Sequence, residues 1–511
     1  MASDEKFMLQ EIKKLHTKSE KYYIYLILIL GFVLRLRNIL NRDFWYDEAF
    51  TGITVKSNFW EIIHITINDV HPPLYYILLK GFSYFGNYSV FSIRFFSVIL
   101  GILGIWAVYF FTKELFNKKT ALFASLITAI SPFAIQYSQE GRMYAMLSFF
   151  TLIGSYFFIK ALKTNNYKYY IGWGIFLGFS ALTHYMGALY SVIFYLIFVV
   201  YNFFHQNSGK LSIKKILLNL LPSKGVFVGF LSSVAIFSFW IKTFFNHLRY
   251  SGLSNMQWVR PASFSDIFTN IQIFIFGSPL GELSAGMPNP NTVNHISNSS
   301  ILVGLVLLFG FLIPYLFKKE KEKITYVLVM SFGFMFLIYV LSILGNDYFV
   351  SRYLIVSAYF IFILLGVWLA NVNWKISVFA VAVYILLLAN VINLNYSKGY
   401  GELQKDLTKY KSNHFYVLNS FDYVIAKYYI GEDNLTLYNI DWPQYNPSYW
   451  AAIGTTLKRT ERYEDLKNDP KALILANIQK DKDKRNDKTF DPIGLPLIAK
   501  YGNITIYKPN Q

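Results

Sequence analysis

"FWYDEAF", residues 44–50, sets two adjacent carboxylates, Asp47 and Glu48, among aromatic side chains just past the first strongly apolar stretch. An ionised carboxylate needs water or a partner. The position of this segment relative to a bilayer therefore decides whether it is plain loop or chemistry. The composition identifies the solvent. Of 511 residues, 54% are hydrophobic, 19% aromatic and 15% charged, with a mean hydropathy of +0.35. Soluble domains carry about 25% charged residues, so most of this chain is solvated by lipid. The absence of cysteine excludes disulfides, thiolate metal sites and cysteine nucleophiles. The net charge of +18 raises nucleic acid as a partner, but the Lys and Arg residues come as short runs between apolar stretches. That is the membrane-topology pattern, and no nucleic-acid partner is expected. The first apolar run follows a charged head and is long enough to stay in the bilayer, so no cleavable signal peptide is expected.

A spanning helix needs about 20 mostly apolar residues. Eleven segments qualify as expectations: 22–40, 88–112, 120–137, 143–162, 169–185, 187–204, 225–245, 300–317, 324–344, 353–370 and 376–394. With residues 1–21 cytoplasmic, the inward connections hold 20 Lys and Arg and the outward ones 7, as the positive-inside rule requires. An odd span count then puts residues 395–511 outside. There, the runs "HFYVLNS", "NLTLYNI" and "KALILANI" alternate with helical stretches such as "FDYVIAKYYI", and "LIAKYGNITIYK" has the form of a hairpin. The expected architecture is a polytopic α-helical protein of the plasma membrane. It has a membrane domain over 22–394, a first outward loop at 41–87 and a small extracytoplasmic α/β domain over 395–511.

This threading sorts the polar residues. Asp47, Glu48, Asp69 and His71 fall in the first outward loop. Glu140 and Arg142 ("SQEGRMY"), His184 and Tyr185 ("THYMG"), and Asp347 and Arg352 ("NDYFVSRY") fall at three further outward turns. Ionisable groups at a bilayer edge are costly unless paired or functional, and their gathering on one leaflet points to a shared site. Each has a plainer account. Asp47–Glu48 can be solvated helix-start acids, the arginines can snorkel, and His184 can simply be packed. His71-Pro72-Pro73 is partly structural, because two prolines fix φ and force extended geometry before them. The aromatic residues Phe44, Trp45, Tyr46 and Trp60 suit either sugar stacking or the interfacial belt.

Outside the cell there are no nucleotide sugars, so a transferase there needs a membrane-borne activated donor such as a polyprenyl-phosphate sugar. A guanidinium fork suits its phosphate. A carboxylate can take the proton of an attacking hydroxyl.

The sequence resembles the GT-C superfamily of integral-membrane glycosyltransferases, in the branch of protein O-mannosyltransferases and the lipid A aminoarabinose transferase (glycosyltransferase 39 type). "FWYDEAFT", "DVHPPLYY", "SQEGRMYAM" and "SRYL" carry the resemblance across residues 22–370. It implies that Asp47 is the catalytic base and that Glu48 helps to place the acceptor. Asp69 and His71 would lie near the donor phosphate or a bound cation, and Arg142 and Arg352 would hold that phosphate. Glu140, His184 and Tyr185 are secondary candidates. No cofactor is required by these residues, and a divalent metal is left open. The implied partners are a polyprenyl-phosphate sugar donor, membrane lipids, and a lipid, glycan or protein acceptor. His71-Pro72-Pro73 stands where the aminoarabinose transferases have Glu-Lys-Pro, and the large luminal insertion of eukaryotic protein mannosyltransferases is lacking. The alternative classes are a transporter or lipid flippase, which would place charges near the midplane, and a glycan polymerase or ligase. The 246–299 connection, rich in Gly, Pro and Asn, is expected as a loop beside the site.

Overall fold

The computed structural model describes residues 22–206, 220–251, 261–277, 320–345, 348–392, 399–418, 420–438, 459–460, 462–477 and 495–509. The segment 1–21, the span expected at 300–317 and Asp347 lie outside them. The described chain is mostly helix. Ten helices of the first half are α1 (Tyr22–Leu36), α2 (Tyr46–Lys56), α3 (Phe59–Asn68), α4 (Leu74–Ser83), α5 (Val90–Leu115), α6 (Lys118–Ile130), α7 (Pro132–Ser138), α8 (Tyr144–Thr164), α9 (Tyr167–Thr183) and α10 (Tyr185–Gln206). Further helices include Lys224–Phe237, Ser265–Phe276, Ile355–Asn371 and Trp374–Ile392.

Among the described residues, five helices are long and apolar enough to cross a membrane, or six if α6 and α7 count as one bent span. The described parts of three further expected spans, Tyr22–Leu36, Ile355–Asn371 and Trp374–Leu386, are apolar helices of 10–17 residues. The stretch 246–299 was expected as a loop but contains the helix Ser265–Phe276, which buries Ile271, Ile273, Phe274 and Ile275. Its Phe274 ring meets Phe133 of α7 at 4.9 Å, and the Ile275 carbonyl accepts from the Tyr384 hydroxyl at 2.7 Å. The polar composition of its flanks hid this apolar centre.

Helices in lipid gain little from the hydrophobic effect against one another and pack through small residues. A Cβ on Gly174 of α9 would collide with the Gly229 carbonyl of Lys224–Phe237, and one on Gly366 would lie 2.5 Å from the Ala124 nitrogen of α6.

The expected span 120–137 is broken by 63° between α6 and α7. Pro132 cannot donate to the preceding turn, and Ser131 caps the new helix by accepting from the Ala134 N–H at 3.2 Å. The carbonyls freed at the break are met by Arg35 of α1, which is fully buried. Its guanidinium donates to Ala129 O at 2.9 Å, Thr128 O at 3.2 Å and Ser138 Oγ at 3.1 Å. The bend directs the C-terminal end of α7, and with it residues 139–143, toward the connection 41–87.

That connection is three short helices, α2 to α4. The Asn58 side chain and Glu61 form a reciprocal cap at the start of α3. Pro73 precedes α4, the helix start expected from the double proline.

The C-terminal residues form a six-stranded sheet in the order β3-β2-β1-β4-β6-β5. The strands are β1 (His414–Val417), β2 (Leu435–Tyr438), β3 (Arg459–Thr460), β4 (Ala472–Asn477), β5 (Leu497–Tyr501) and β6 (Ile504–Tyr507). β1 is parallel to β2 and β4, and β5 and β6 form the antiparallel hairpin, with Gly502 at φ +53° in its turn. The helical segments of this C-terminal region are joined to α2 and the residues around it at several points. Asp43 accepts from the backbone N–H groups of Gly399, Tyr400 and Gly401 at 2.6, 2.7 and 3.1 Å. The Phe44 N–H donates to the Tyr429 hydroxyl at 2.9 Å, and the Tyr428 hydroxyl donates to Tyr88 O at 2.9 Å. Gly52 lets the Tyr428 ring lie against α2, since a Cβ there would stand 2.5 Å from that ring.

Asp43→Ala strands three buried-edge N–H donors at about 1–3 kcal/mol each. Hydrogen exchange should show lost protection at residues 399–401 and a lower thermal midpoint. Unchanged protection there would remove Asp43 from this role.

Candidate functional site: one carboxylate between two guanidinium groups

Asp47 and Glu48 lie in the first turn of α2, where negative charge is favoured by the helix dipole. Consecutive helical residues point about 100° apart, and the two acids take opposite directions. Glu48 is fully buried. Arg94 of α5 binds both of its oxygens, Nε to Oε1 at 2.8 Å and NH2 to Oε2 at 2.7 Å. The Gly141 N–H adds a third bond to Oε1 at 2.8 Å. The remaining donors of Arg94 go to the carbonyls of Ile39, Arg42 and Asp43 at 2.8, 2.9 and 3.0 Å. Burial works to raise the Glu48 carboxyl, but Arg94, then Arg42 and the Gly141 N–H, outweigh it and hold the group below its usual range. The resemblance implies that Glu48 helps to place an acceptor, and in the structure its carboxylate accepts three hydrogen bonds from within the protein. Its lone pairs are committed within the protein, and it ties α2, α5 and the 139–143 turn together.

Asp47 keeps 19% of its side-chain surface exposed and faces two arginines. Its Oδ2 stands 3.9 Å from Arg142 Nε and 3.7 Å from Arg352 NH1, too far for hydrogen bonds but well within charge range. Both arginines are buried, at 2% and 7% exposure. Arg142 NH1 donates to the Tyr76 hydroxyl at 3.1 Å and Thr51 Oγ1 at 3.2 Å, while its Nε has no hydrogen-bond partner. The Arg352 guanidinium lies over the rings of Trp45 and Tyr353 at 5.8 and 5.6 Å. Both guanidinium groups are buried inside the protein rather than snorkelling to the interface.

Asp69 and His71 form a second pair, Oδ2 to Nδ1 at 2.9 Å. Burial raises the Asp69 carboxyl, and His71 more than reverses this, leaving it low. The His71 ring stands 5.5 Å from that of His184, which in turn meets Tyr353 at 5.1 Å. Tyr185 sits in a bracing chain. Trp240 Nε1 donates to its hydroxyl at 3.0 Å, that hydroxyl donates to His247 Nδ1 at 2.7 Å, and His247 Nε2 donates to Ile67 O at 2.8 Å. Tyr185 thus ties the start of α10 to the end of α3 through His247.

Glu140 is 2% exposed, and its Oε2 has no hydrogen-bond partner. Burial, then Glu48 and Asp47, push its carboxyl up to about 7, with Arg42 and Arg352 offsetting only part. Among the described residues no group of three or more His, Cys, Asp or Glu is arranged to hold a metal ion.

Solved structures share this arrangement of helices. ArnT from Cupriavidus metallidurans bound to undecaprenyl phosphate superposes with a TM-score of 0.60 at 11% identity, over 96% of this chain and 98% of that one. Its apo form gives 0.61 at the same identity and coverage. The fold of this chain is thus the fold of these two structures. An Archaeoglobus fulgidus oligosaccharyltransferase in complex with Zn and sulfate also matches, with a TM-score of 0.51 at 14% identity over 89% of this chain and 68% of that one. Residues 70–223 match the family described as dolichyl-phosphate-mannose-protein mannosyltransferase. No curated protein sequence matches.

The sequence motifs did not single out Arg94, Asp43, Tyr76 and Thr51. Arg94 had a readable signal, a lone arginine inside an apolar helix, which must face a partner. The others are ordinary residue types whose roles come only from packing.

Two outcomes follow from this geometry. Glu48→Gln leaves a buried guanidinium without its carboxylate, a loss on the order of 3–5 kcal/mol, while Asp47→Asn should change stability little. Thermal unfolding of the two variants in one detergent distinguishes the neighbours. Glu140 holds a proton in the fold that the unfolded chain releases, so stability should fall as pH rises from the ordinary glutamate range through about 7. Glu140→Gln should flatten that slope, read as thermal midpoint against pH.

Proposed function

We propose that the protein is a glycosyltransferase. It moves a sugar from a polyprenyl-phosphate donor to an extracytoplasmic acceptor, a cell-envelope glycan, lipid or protein, by a single inverting displacement. The observation that carries this is Asp47 held between the buried Arg142 and Arg352. Two fixed cations beside one partly exposed carboxylate suit a reaction that creates a phosphate anion and releases a proton.

In this reading the donor phosphate takes up the guanidinium groups of Arg142 and Arg352. As they bind it, the Asp47 carboxylate is left facing the acceptor hydroxyl. The acceptor hydroxyl gives its proton to Asp47 as its oxygen bonds to the anomeric carbon. The bond from that carbon to the phosphate oxygen breaks, and its electrons leave on polyprenyl phosphate, stabilised by the same two cations. No covalent enzyme intermediate is needed, and the anomeric centre inverts. Asp69 and His71 lie beside the phosphate end of the site. The Glu48–Arg94 pair positions α2, and Glu140 closes the site from the α7–α8 turn. The distribution of Lys and Arg supports placing this face, with the C-terminal sheet, on the extracytoplasmic side of the plasma membrane.

Purified protein incubated with a panel of polyprenyl-phosphate sugars should release polyprenyl phosphate from at least one, detected by mass spectrometry. Asp47→Asn keeps the shape but accepts no proton. It should lower turnover by about 10²–10⁴-fold while polyprenyl phosphate still binds. Release from no donor, or wild-type turnover in the variant, would contradict the reading; lipid movement without release would favour a flippase.

A further inference from the structure

His184 is the last residue of the α9–α10 connection, and its geometry fixes its protons. Its backbone N–H closes α9 on Ser180 O at 3.0 Å. Its side chain starts α10, with Nδ1 accepting the Met186 N–H at 3.1 Å. A nitrogen that accepts carries no hydrogen, so the single proton of the neutral ring is on Nε2. That Nε2–H is buried and has no hydrogen-bond partner, in a residue only 5% exposed. Leaving such a donor unmet is costly, so a buried instance calls for a purpose. Burial first, then His71, Arg142 and Arg352, keep this imidazole well below its ordinary value. The ring therefore stays neutral, with Nδ1 as acceptor and Nε2 as donor.

Three features share this neighbourhood. Arg142 Nε is likewise buried without a hydrogen-bond partner. The imidazole lies 5.1 Å from the Tyr353 ring, on which the Arg352 guanidinium also rests at 5.6 Å. The ring also caps the N-terminus of α10, a 22-residue helix, whose positive end favours an anion. Two cations, a neutral N–H and a helix N-terminus together select an anion with several acceptor oxygens.

We propose that the His184 Nε2–H is a third donor to the phosphate of the polyprenyl-phosphate ligand, beside Arg142 and Arg352. This rests on the reading given under Proposed function. The imidazole adds what the guanidinium groups lack, a directional neutral contact that does not compete for Asp47. It couples phosphate recognition to the start of α10.

The test uses the full chain in lipid nanodiscs, titrated separately with undecaprenyl phosphate and with undecaprenol. His184→Ser retains a side-chain oxygen to cap α10 but has no group that reaches the phosphate. His184→Asn retains both a capping oxygen and an N–H donor. A hydrogen bond to a charged group predicts about tenfold weaker undecaprenyl phosphate binding in His184→Ser, with undecaprenol binding unchanged. His184→Asn should stay within about threefold of the parent. Undecaprenyl phosphate binding equal to the parent in His184→Ser would overturn the proposal, as would an equal loss for both lipids. If the parent itself does not distinguish the phosphate from the alcohol, the proposed function fails along with it.

Discussion

The fully buried pair between Glu48 and Arg94 is the constraint on which the site depends. A charge inside a membrane protein is tolerated only when its partners are supplied. Here the supply is complete: two bonds from Arg94 to the carboxylate, one from Gly141, and three carbonyls from residues 39, 42 and 43 for the remaining guanidinium donors. Those bonds join three parts of the chain, residues 39–48, Arg94 and Gly141. The pair therefore fixes α2 relative to α5 and to the turn that carries Arg142. Replacing such a pair with apolar residues is often neutral for stability. Its value here is positional, because it orients the neighbouring residue, Asp47.

Two further contacts complete the frame. Arg35 meets the carbonyls released at the α6–α7 break and so lets an apolar segment turn by 63° without leaving them bare. Asp43 gathers three N–H groups at the start of Tyr400–Lys405, just four residues before Asp47. The C-terminal region thus bears directly on the segment that holds the proposed base. Preorganisation of this kind is what a transferase needs, since misplacing a reacting group by about 1 Å can cost on the order of 10²-fold in rate.

Much of this was legible in the sequence, for physical reasons that can be named. Residues 44–50 gave the adjacent acids after an apolar run, and the prolines at 72 and 73 marked a turn into a helix that begins at Leu74. Arg142 and Arg352 could be grouped with Asp47 because all three fall at helix ends that threading places on one face. The three apolar runs read as strands are β1, β2 and β4. What was not legible depends on rotation and distance. Nothing in "DE" says that one acid faces Arg94 and the other two arginines, because a 100° turn separates them only once α2 is placed. Tyr185 resembled a site residue by position, yet its hydroxyl is engaged by Trp240 and His247, distant in sequence. The helix at 265–276 was hidden because its apolar centre is short and its flanks are polar.

The central claim is that Asp47, Arg142 and Arg352 surround one anion site at the edge of the membrane. A cryo-electron microscopy map of the full chain with undecaprenyl phosphate tests it most directly. The account expects the phosphate between the two guanidinium groups, within hydrogen-bond reach of both and adjacent to the Asp47 carboxylate. Phosphate density on the opposite face of the membrane, or remote from both arginines, would contradict it.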